Sequence, residues 1–450
     1  MFPYKKASIL GLGKTGIALA NFLYSKNVDV FVSESSGKDK VSNNLALLNE
    51  KIKYETGGHT DKVLNYGLII KSPGIPSDIP ILLRAKQKRI RILGEIEIAA
   101  GLIKPKLLIA ITGTNGKTTT TTMIGEIFKA AGFKTVVAGN IGSPLISFVD
   151  KINSETAVVL EVSSYQLEDT EKFQPDISCI LNITPDHLEH HKNMENYIES
   201  KENIFRNQSI GNYCILNYDN ENCRAMAQKC NSNVVFTSQN EKLKEGVFFD
   251  NQAQKVFIKL PFLKPSNYNF PLNLKIPGKH NIENALFTIS TGILSGISPE
   301  SLKNTLEEFA GVEHRLELVR EINGVKYIND SKSTNVDSSL VALKSFSGNI
   351  ILIMGGKHKG VPYTPLRSLV KTRVKQLLLI GESSGIIEKD LSGTTDIFQA
   401  KTLKNALKNA AENAKTGDVV LFSPGCSSFD QFDNFEHRGS EFKKIVNSLN

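Results

Sequence analysis

The run Ala110-Ile-Thr-Gly113-Thr-Asn115-Gly116-Lys117-Thr118-Thr119 constrains this chain more than any other. An apolar stretch over 107–111 precedes it and reads as a buried parallel strand. A helical pattern over 120–131, closed by Gly132, follows it. A strand, a glycine loop and a helix N-terminus make an anion site, because glycine lets the backbone turn its N–H groups toward a polyphosphate. Gly113, Thr114, Asn115, Gly116 and Thr119 would form the cradle. Lys117 would neutralise the terminal phosphates, and the Thr118 hydroxyl would ligate the accompanying magnesium. The common phosphate-loop pattern wants a glycine five residues before Gly116, and Ile111 stands there.

Apolar runs separated by helical patterns recur along all 450 residues. Strands are expected at 8–10, 28–32 and 68–71, then at 107–111, 135–138, 157–160, 177–181 and 213–216. A third set falls at 327–328, 350–354, 376–380 and 419–422. Near-continuous hydrophobicity marks parallel strands covered on both faces. The expected fold is α/β in three domains: Rossmann-like over 1–94, a P-loop-type parallel-sheet ATPase domain over 95–311, and Rossmann-like again over 312–450.

The formal charge of +8 is spread out, without the aromatic-basic interleaving of a nucleic-acid surface. It suits small anionic substrates. The five cysteines form no C-x-x-C and no zinc spacing, which points to reduced thiols and a cytoplasmic protein. No apolar run is long enough to span a bilayer, and Gly11 comes too soon for a signal sequence.

Gly11-Leu-Gly13-Lys14-Thr15-Gly16 is a second phosphate-type loop, with Glu34 ending the next strand. Alone it would indicate a dehydrogenase, but two such loops in separate domains point to two phosphorylated ligands. Glu161 ends an apolar strand near the first loop, where a carboxylate suits magnesium. Asp186-His187 follows the next strand in the same manner. A zinc site built on His190 and His191 has no paired carboxylate or cysteine in the sequence to support it. Lys201, on a helix expected over 194–207, reads by itself as a surface charge. In the last domain, polar loops beginning at Asp330, Gly355, Gly381 and Ser423 each follow a strand and describe an anion-accepting crevice.

Taken in order, these segments resemble the Mur ligases of peptidoglycan precursor synthesis. The resemblance runs through Ser72-Pro-Gly74, the 112–118 loop, Gly139-Asn140-Ile-Gly142, Glu161-Val-Ser-Ser-Tyr-Gln-Leu167 and Asn182-Ile-Thr-Pro-Asp-His187. It continues through Gly278-Lys-His-Asn281, His314-Arg315, Asp330-Ser-Lys-Ser-Thr-Asn335, Gly355-Gly-Lys-His-Lys359 and 423–435. The 423–435 segment, continued by Arg438-Gly439, is most particular to the D-glutamate-adding member.

The resemblance implies an ADP-forming amide ligase that joins D-glutamate to UDP-N-acetylmuramoyl-L-alanine through an acyl phosphate. It implies a cytoplasmic monomer serving cell-wall synthesis, and through it cell shape and division. UDP-substrate contacts would fall on Gly13, Lys14, Thr15, Glu34, Ser35, Ser72 and Gly74, with Asn140 and His187 on the muramoyl part. Family members often carry Asp at the position of Glu34. Asn281 and Asp330 would contact adenosine, and Arg315 the terminal phosphate. Thr334, Lys359, Ser428 and Phe435 would position D-glutamate. Two magnesium ions are implied, one on Thr118 and Glu161, the other on His187 and a carbamylated Lys201. A regulatory GTPase lacks its Asn-Lys-x-Asp element here, and a folate polyglutamate ligase has no reason to carry the first domain's loop.

Overall fold

The computed structural model describes residues 3–263, 266–276 and 278–449. Its strands form three sheets, of five, nine and six strands. By packing, the chain makes two compact units. One is Met1–Leu272 with Glu283–Leu306, and the other is Asn273–Ile282 with Glu307–Asn450.

The first unit carries two sheets. The five-stranded sheet is parallel throughout, in the order Lys53–Thr56, Asp29–Glu34, Lys6–Leu10, Leu68–Lys71, Arg91–Gly94. The nine-stranded sheet sets Leu107–Thr112 between Ile177–Ile180 and Thr156–Glu161, all parallel. Its core strands are fully buried, as Ile109, Ala110, Val158, Val159 and Leu160 attest. The far edge is antiparallel: Gly246–Asp250, Lys255–Lys259 and Asn267–Pro271 form a meander absent from the sequence-based expectation.

Helix Glu95–Leu102 fastens the two sheets together. The Glu97 carboxylate accepts the backbone N–H groups of Glu171, Lys172 and Phe173 at 3.0 to 3.1 Å. The Glu95 Oε1 accepts the Ile146 N–H at 2.7 Å. Lys71 Nζ pairs with Asp169 at 3.0 Å.

The second unit holds the six-stranded sheet, ordered Glu317–Ile322, Val325–Asn329, Val419–Phe422, Ile350–Gly355, Val374–Ile380, Asp396–Lys401. The first pair is antiparallel and the rest parallel. The expected helix over 194–207 is shorter, ending at Glu202, after which Ile204 and Phe205 N–H groups bond three residues back and tighten the chain.

Candidate functional site

The phosphate loop leaves strand Leu107–Thr112 and enters helix Lys117–Ala130 through Gly116. Gly116 has φ +85° and Gly113 φ +152°, conformations that favour glycine. Space excludes side chains as well: a Cβ on Gly113 would lie 3.0 Å from that of Leu181, and one on Gly116 would collide with Asn284. The Lys117 ammonium folds back over the loop and donates to the Gly113 and Thr114 carbonyls, both at 2.8 Å. Thr118 and Thr119 are buried in the first helical turn.

Asn182, quoted only as part of a motif in the sequence, braces the loop. Its Oδ1 accepts the Asn115 N–H at 2.8 Å, and its amide donates to the Asn115 carbonyl and to Glu283. Thr114 makes a second brace. Its hydroxyl donates to the Thr184 carbonyl at 3.1 Å and accepts the Thr184 N–H at 3.0 Å. A hydroxyl has one proton, so the Tyr197 hydroxyl 3.0 Å away must be the donor in their bond. Three segments meet at this oxygen: the loop, the stretch leading to His187, and the helix carrying Lys201.

Glu161 is the register partner of Ile111 and ends its strand 2% exposed. Asn140 donates to Glu161 Oε1 at 2.8 Å, and its own N–H bonds the Glu161 carbonyl. Glu161 Oε2 is buried with no hydrogen-bond partner among the described residues. An orphaned carboxylate oxygen at the end of the strand beside the one that leads into the phosphate loop is a hard, anionic donor, and it fits magnesium.

Lys201 is 1% exposed, not a surface charge. Its Nζ reaches the Gly113 carbonyl at 3.0 Å and the Thr112 hydroxyl at 3.2 Å, with the Tyr197 ring 4.9 Å away. Burial, and then the Lys117 charge, push its pKa well below the ordinary lysine value. His187 caps the four-residue helix Leu188–His191 with φ +55°. Its Nε2 lies 3.5 Å from Asp186, and Tyr165 packs against its ring. Burial lowers the His187 pKa despite Asp186.

In the N-terminal sheet, Gly13 caps helix Lys14–Ser25, and Lys14 Nζ reaches the Gly142 carbonyl. Thr15 is half-buried in the first turn. Glu34 turns inward onto the glycine loop, accepting the N–H groups of Leu12 and Ser36, both at 2.8 Å, with Ser35 at its edge. Burial raises the Glu34 pKa, but these donors outweigh it and the net shift is downward. Ser72 Oγ is buried and unpartnered among the described residues, facing Gly11, and Gly74 turns at φ +89°.

The second unit gathers the remaining candidates. Asn281 opens a helix there, 4% exposed. Burial, then the Arg315 charge, push its neighbour His280 down to about 4. Asp330 is wholly inside: Ser333, Ser423 and the Leu316 N–H all donate to it, and burial raises its pKa to about 6. Thr334 lies on the same loop, half-buried. Lys359 is exposed on the loop after Ile350–Gly355, whereas Ser428 is 2% exposed.

The two loops carrying Lys359 and Ser428 are bound together. Lys357 N–H donates to the Ser427 carbonyl at 2.9 Å, and Ser427 Oγ to the Lys357 carbonyl at 3.2 Å. Tyr363, not singled out in the sequence, lies 2.9 Å from Cys426 Sγ and 3.2 Å from His358 Nδ1. The Phe435 carbonyl accepts the Ser331 hydroxyl at 2.9 Å, and Lys332 sits over its ring. Buried Arg438 donates to Ser331 and to the Cys426 carbonyl, tying those loops to the last helix.

Three family models match the chain in order: the Mur ligase MurD-like N-terminal domain over 5–94, the Mur ligase middle domain over 111–292, and the Mur ligase glutamate ligase domain over 314–426. The UDP-N-acetylmuramoylalanine–D-glutamate ligase of Koribacter versatilis is 44% identical over 99% of this chain and 98% of its own length. That of Clostridioides difficile is 41% identical over 99% of each. Among solved structures, the UDP-N-acetylmuramate-alanine ligase of Thermotoga maritima aligns over 98% of this chain and 99% of its own, with TM-score 0.62 at 21% identity, a likeness of fold. End-to-end identity of this extent places the chain in the Mur ligase family.

Proposed function

We propose that the chain is an ADP-forming ligase that joins D-glutamate to UDP-N-acetylmuramoyl-L-alanine for peptidoglycan synthesis. The full-length similarity to D-glutamate ligases supports the substrates. The observation that carries the chemistry is the buried, unpartnered Glu161 Oε2 beside the phosphate loop. Asn140 engages only Oε1, and a nucleotide-bound cation would give Oε2 a partner.

A carboxylate is a poor electrophile because its leaving group would be oxide. Phosphorylation by ATP solves this. The terminal carboxylate oxygen of the alanyl substrate attacks the γ-phosphorus, ADP leaves, and an acyl phosphate forms. The D-glutamate amine then attacks the acyl carbon, phosphate leaves, and an amide remains after loss of a proton. Lys117 would release the loop carbonyls and follow the transferring charge. Gly113 to Thr119 would cradle the phosphates; Arg315, Asn281 and Asp330 are the other ATP-binding candidates.

Thr118 with Glu161, and His187 with a carbamylated Lys201, would hold magnesium, which when bound offsets negative charge on the phosphoryl oxygens. Lys201 as an ammonium does not fit a cation site, but a neutral amine can add to carbon dioxide, losing one proton and becoming an oxygen ligand. Its depressed pKa favours that neutral form. Asn140 would orient Glu161 and meet the muramoyl group, together with His187. Gly13, Lys14, Thr15, Glu34, Ser35, Ser72 and Gly74 would receive the uridine nucleotide. Thr334, Lys359, Ser428 and the Phe435 backbone would place D-glutamate. We assign the boundaries 94/95 and 311/312 to these three tasks, in a cytoplasmic monomer.

The test is product identity. ADP and phosphate should form only when both the muramoyl substrate and D-glutamate are supplied. Formation of AMP and pyrophosphate would exclude the acyl-phosphate scheme.

A further inference from the structure

The carboxylate that converges on His190 and His191 comes from a different segment, not from their sequence neighbours Asp186 and Glu189. Glu168 caps the short helix Ser164–Leu167 and lies against both imidazoles. Its oxygens are 3.0 and 3.1 Å from His190 Nε2, and Oε1 is 2.9 Å from His191 Nδ1. Among the described residues this is the one group of three His, Cys, Asp or Glu side chains whose ligand atoms all converge within 4.8 Å.

We infer that Glu168, His190 and His191 form a site for a zinc-class divalent metal ion, separate from the magnesium ligands of the ligase reaction. Adjacent residues on a helix point about 100° apart and do not ordinarily share a target. Here the far nitrogen of His190 and the near nitrogen of His191 compensate, with rings 4.8 Å apart and nearly perpendicular. Ligand atoms on tetrahedral zinc lie roughly 3.3 Å apart, from bonds of about 2.0–2.1 Å. The two glutamate–histidine separations need to open by only a few tenths of an ångström, and the two histidine nitrogens lie within 4.8 Å of each other.

Orientation is already arranged. Ser164 Oγ lies 3.0 Å from His191 Nε2. Without metal, the serine hydroxyl can donate to Nε2 while Nδ1–H donates to Glu168. With metal, the hydroxyl rotates, Nε2–H donates to it, and the Nδ1 lone pair is freed. A polar group on the distal nitrogen is what fixes the tautomer of a metal-bound histidine. His191 is buried and His190 nearly so, but a cavity of about 590 Å³ lined by all three residues leaves room for water in an open coordination position. Its other walls carry both signs, Glu189 and Glu199 against Lys86 and Arg206, so no field bars a cation. Two imidazoles and one carboxylate select zinc, cobalt or nickel over magnesium.

The inference does not rest on the ligase reading, because its readout is binding. Full-length protein, stripped with a chelator, is titrated with Co2+ and then Zn2+ in excess Mg2+. One equivalent of Co2+ should bind with visible d–d absorption, lack the near-ultraviolet thiolate band that cysteine ligation gives, and be displaced by Zn2+. His190→Ala and Glu168→Gln should each weaken binding at least tenfold, and Ser164→Ala roughly tenfold. Circular dichroism identifies a variant that fails to fold, and the other variants then carry the test. A thiolate band, no visible band at all, or an affinity that folded His190→Ala and Glu168→Gln proteins leave unchanged would overturn the site.

Discussion

Lys71 and Asp169 face each other at 3.0 Å, with side chains 1% and 10% exposed, and join the end of an N-terminal strand to the segment after Leu167. Lys71 also donates to the Ile75 carbonyl and the Ser77 hydroxyl, and the Asp169 carbonyl accepts the Gly94 N–H. Burial raises the Asp169 pKa although Lys71 opposes it. Removing one partner of a buried pair strands the other charge. Asp169→Asn or Lys71→Met should therefore cost about 3–5 kcal/mol in urea unfolding. A loss within the spread of surface mutations would mean that the pair is solvated.

Lys201→Ala should lose most ligase activity, and small free carboxylates such as acetate should restore part of it by entering the vacated volume. Lys201→Arg should resist rescue, because charge and bulk both remain. The parent enzyme should slow in carbon-dioxide-depleted buffer and recover with bicarbonate. Insensitivity to bicarbonate together with an active Lys201→Ala enzyme would retire the carbamate.

Glu95 gives a stability prediction with a definite sign. Its pKa rises from 4.5 to about 7 because it is buried, and the N–H donors of Ile146 and Leu145 do not offset this. Its Oε2 has no partner among the described residues. Between those values the unfolded chain ionises Glu95 while the folded one keeps its proton. Folding stability from this group is thus present at low pH and lost as pH rises toward 7, by on the order of 3 kcal/mol. Glu95→Gln should flatten that decline, so the variant gains on the parent between about pH 5 and about pH 8 in thermal unfolding. Parallel profiles for the two proteins would show that Glu95 ionises freely.

Tyr363→Phe should loosen the loops carrying Lys359 and Ser428 without touching the phosphate loop. Losing the hydroxyl leaves Cys426 and His358 each one contact short. The expected effect is a rise of roughly tenfold in KM for D-glutamate, with KM for ATP unchanged, in line with one or two lost buried hydrogen bonds. Equal changes in both would place the tyrosine outside amino-acid binding.

The α/β architecture and its parallel strands were legible because fully covered strands leave unbroken apolar runs, such as Ile350–Met354. The loop at Gly113 and Gly116 was legible because positive φ leaves a glycine signature. The meander over 246–271 was not: Gly246–Asp250 is short and buried, and the two strands beyond it mix Asn, Lys and Phe toward an edge, where one side is wet. Burial of Lys201 was equally invisible, since a lysine in Met194–Glu202 looks like any other until tertiary packing closes over it. Glu168 and His191 are distant in sequence, so local spacing could not pair them. Asn182 and Tyr197 were hidden for a related reason, because they act on backbone and hydroxyl groups of a loop formed elsewhere.

The Glu97 carboxylate, with three successive N–H groups around it, is a bound anion that the chain brings with it. Concave turns of this kind elsewhere take up phosphate or sulfate from solution, and their occupancy then varies with the medium. A covalently tethered occupant has a fixed effective concentration and stays within reach of the turn even after a rotamer excursion. The turn over 171–173 is therefore indifferent to the anions of its surroundings. A cell rich in nucleotides and phosphate, the very ligands this family handles, has no free nest there to fill.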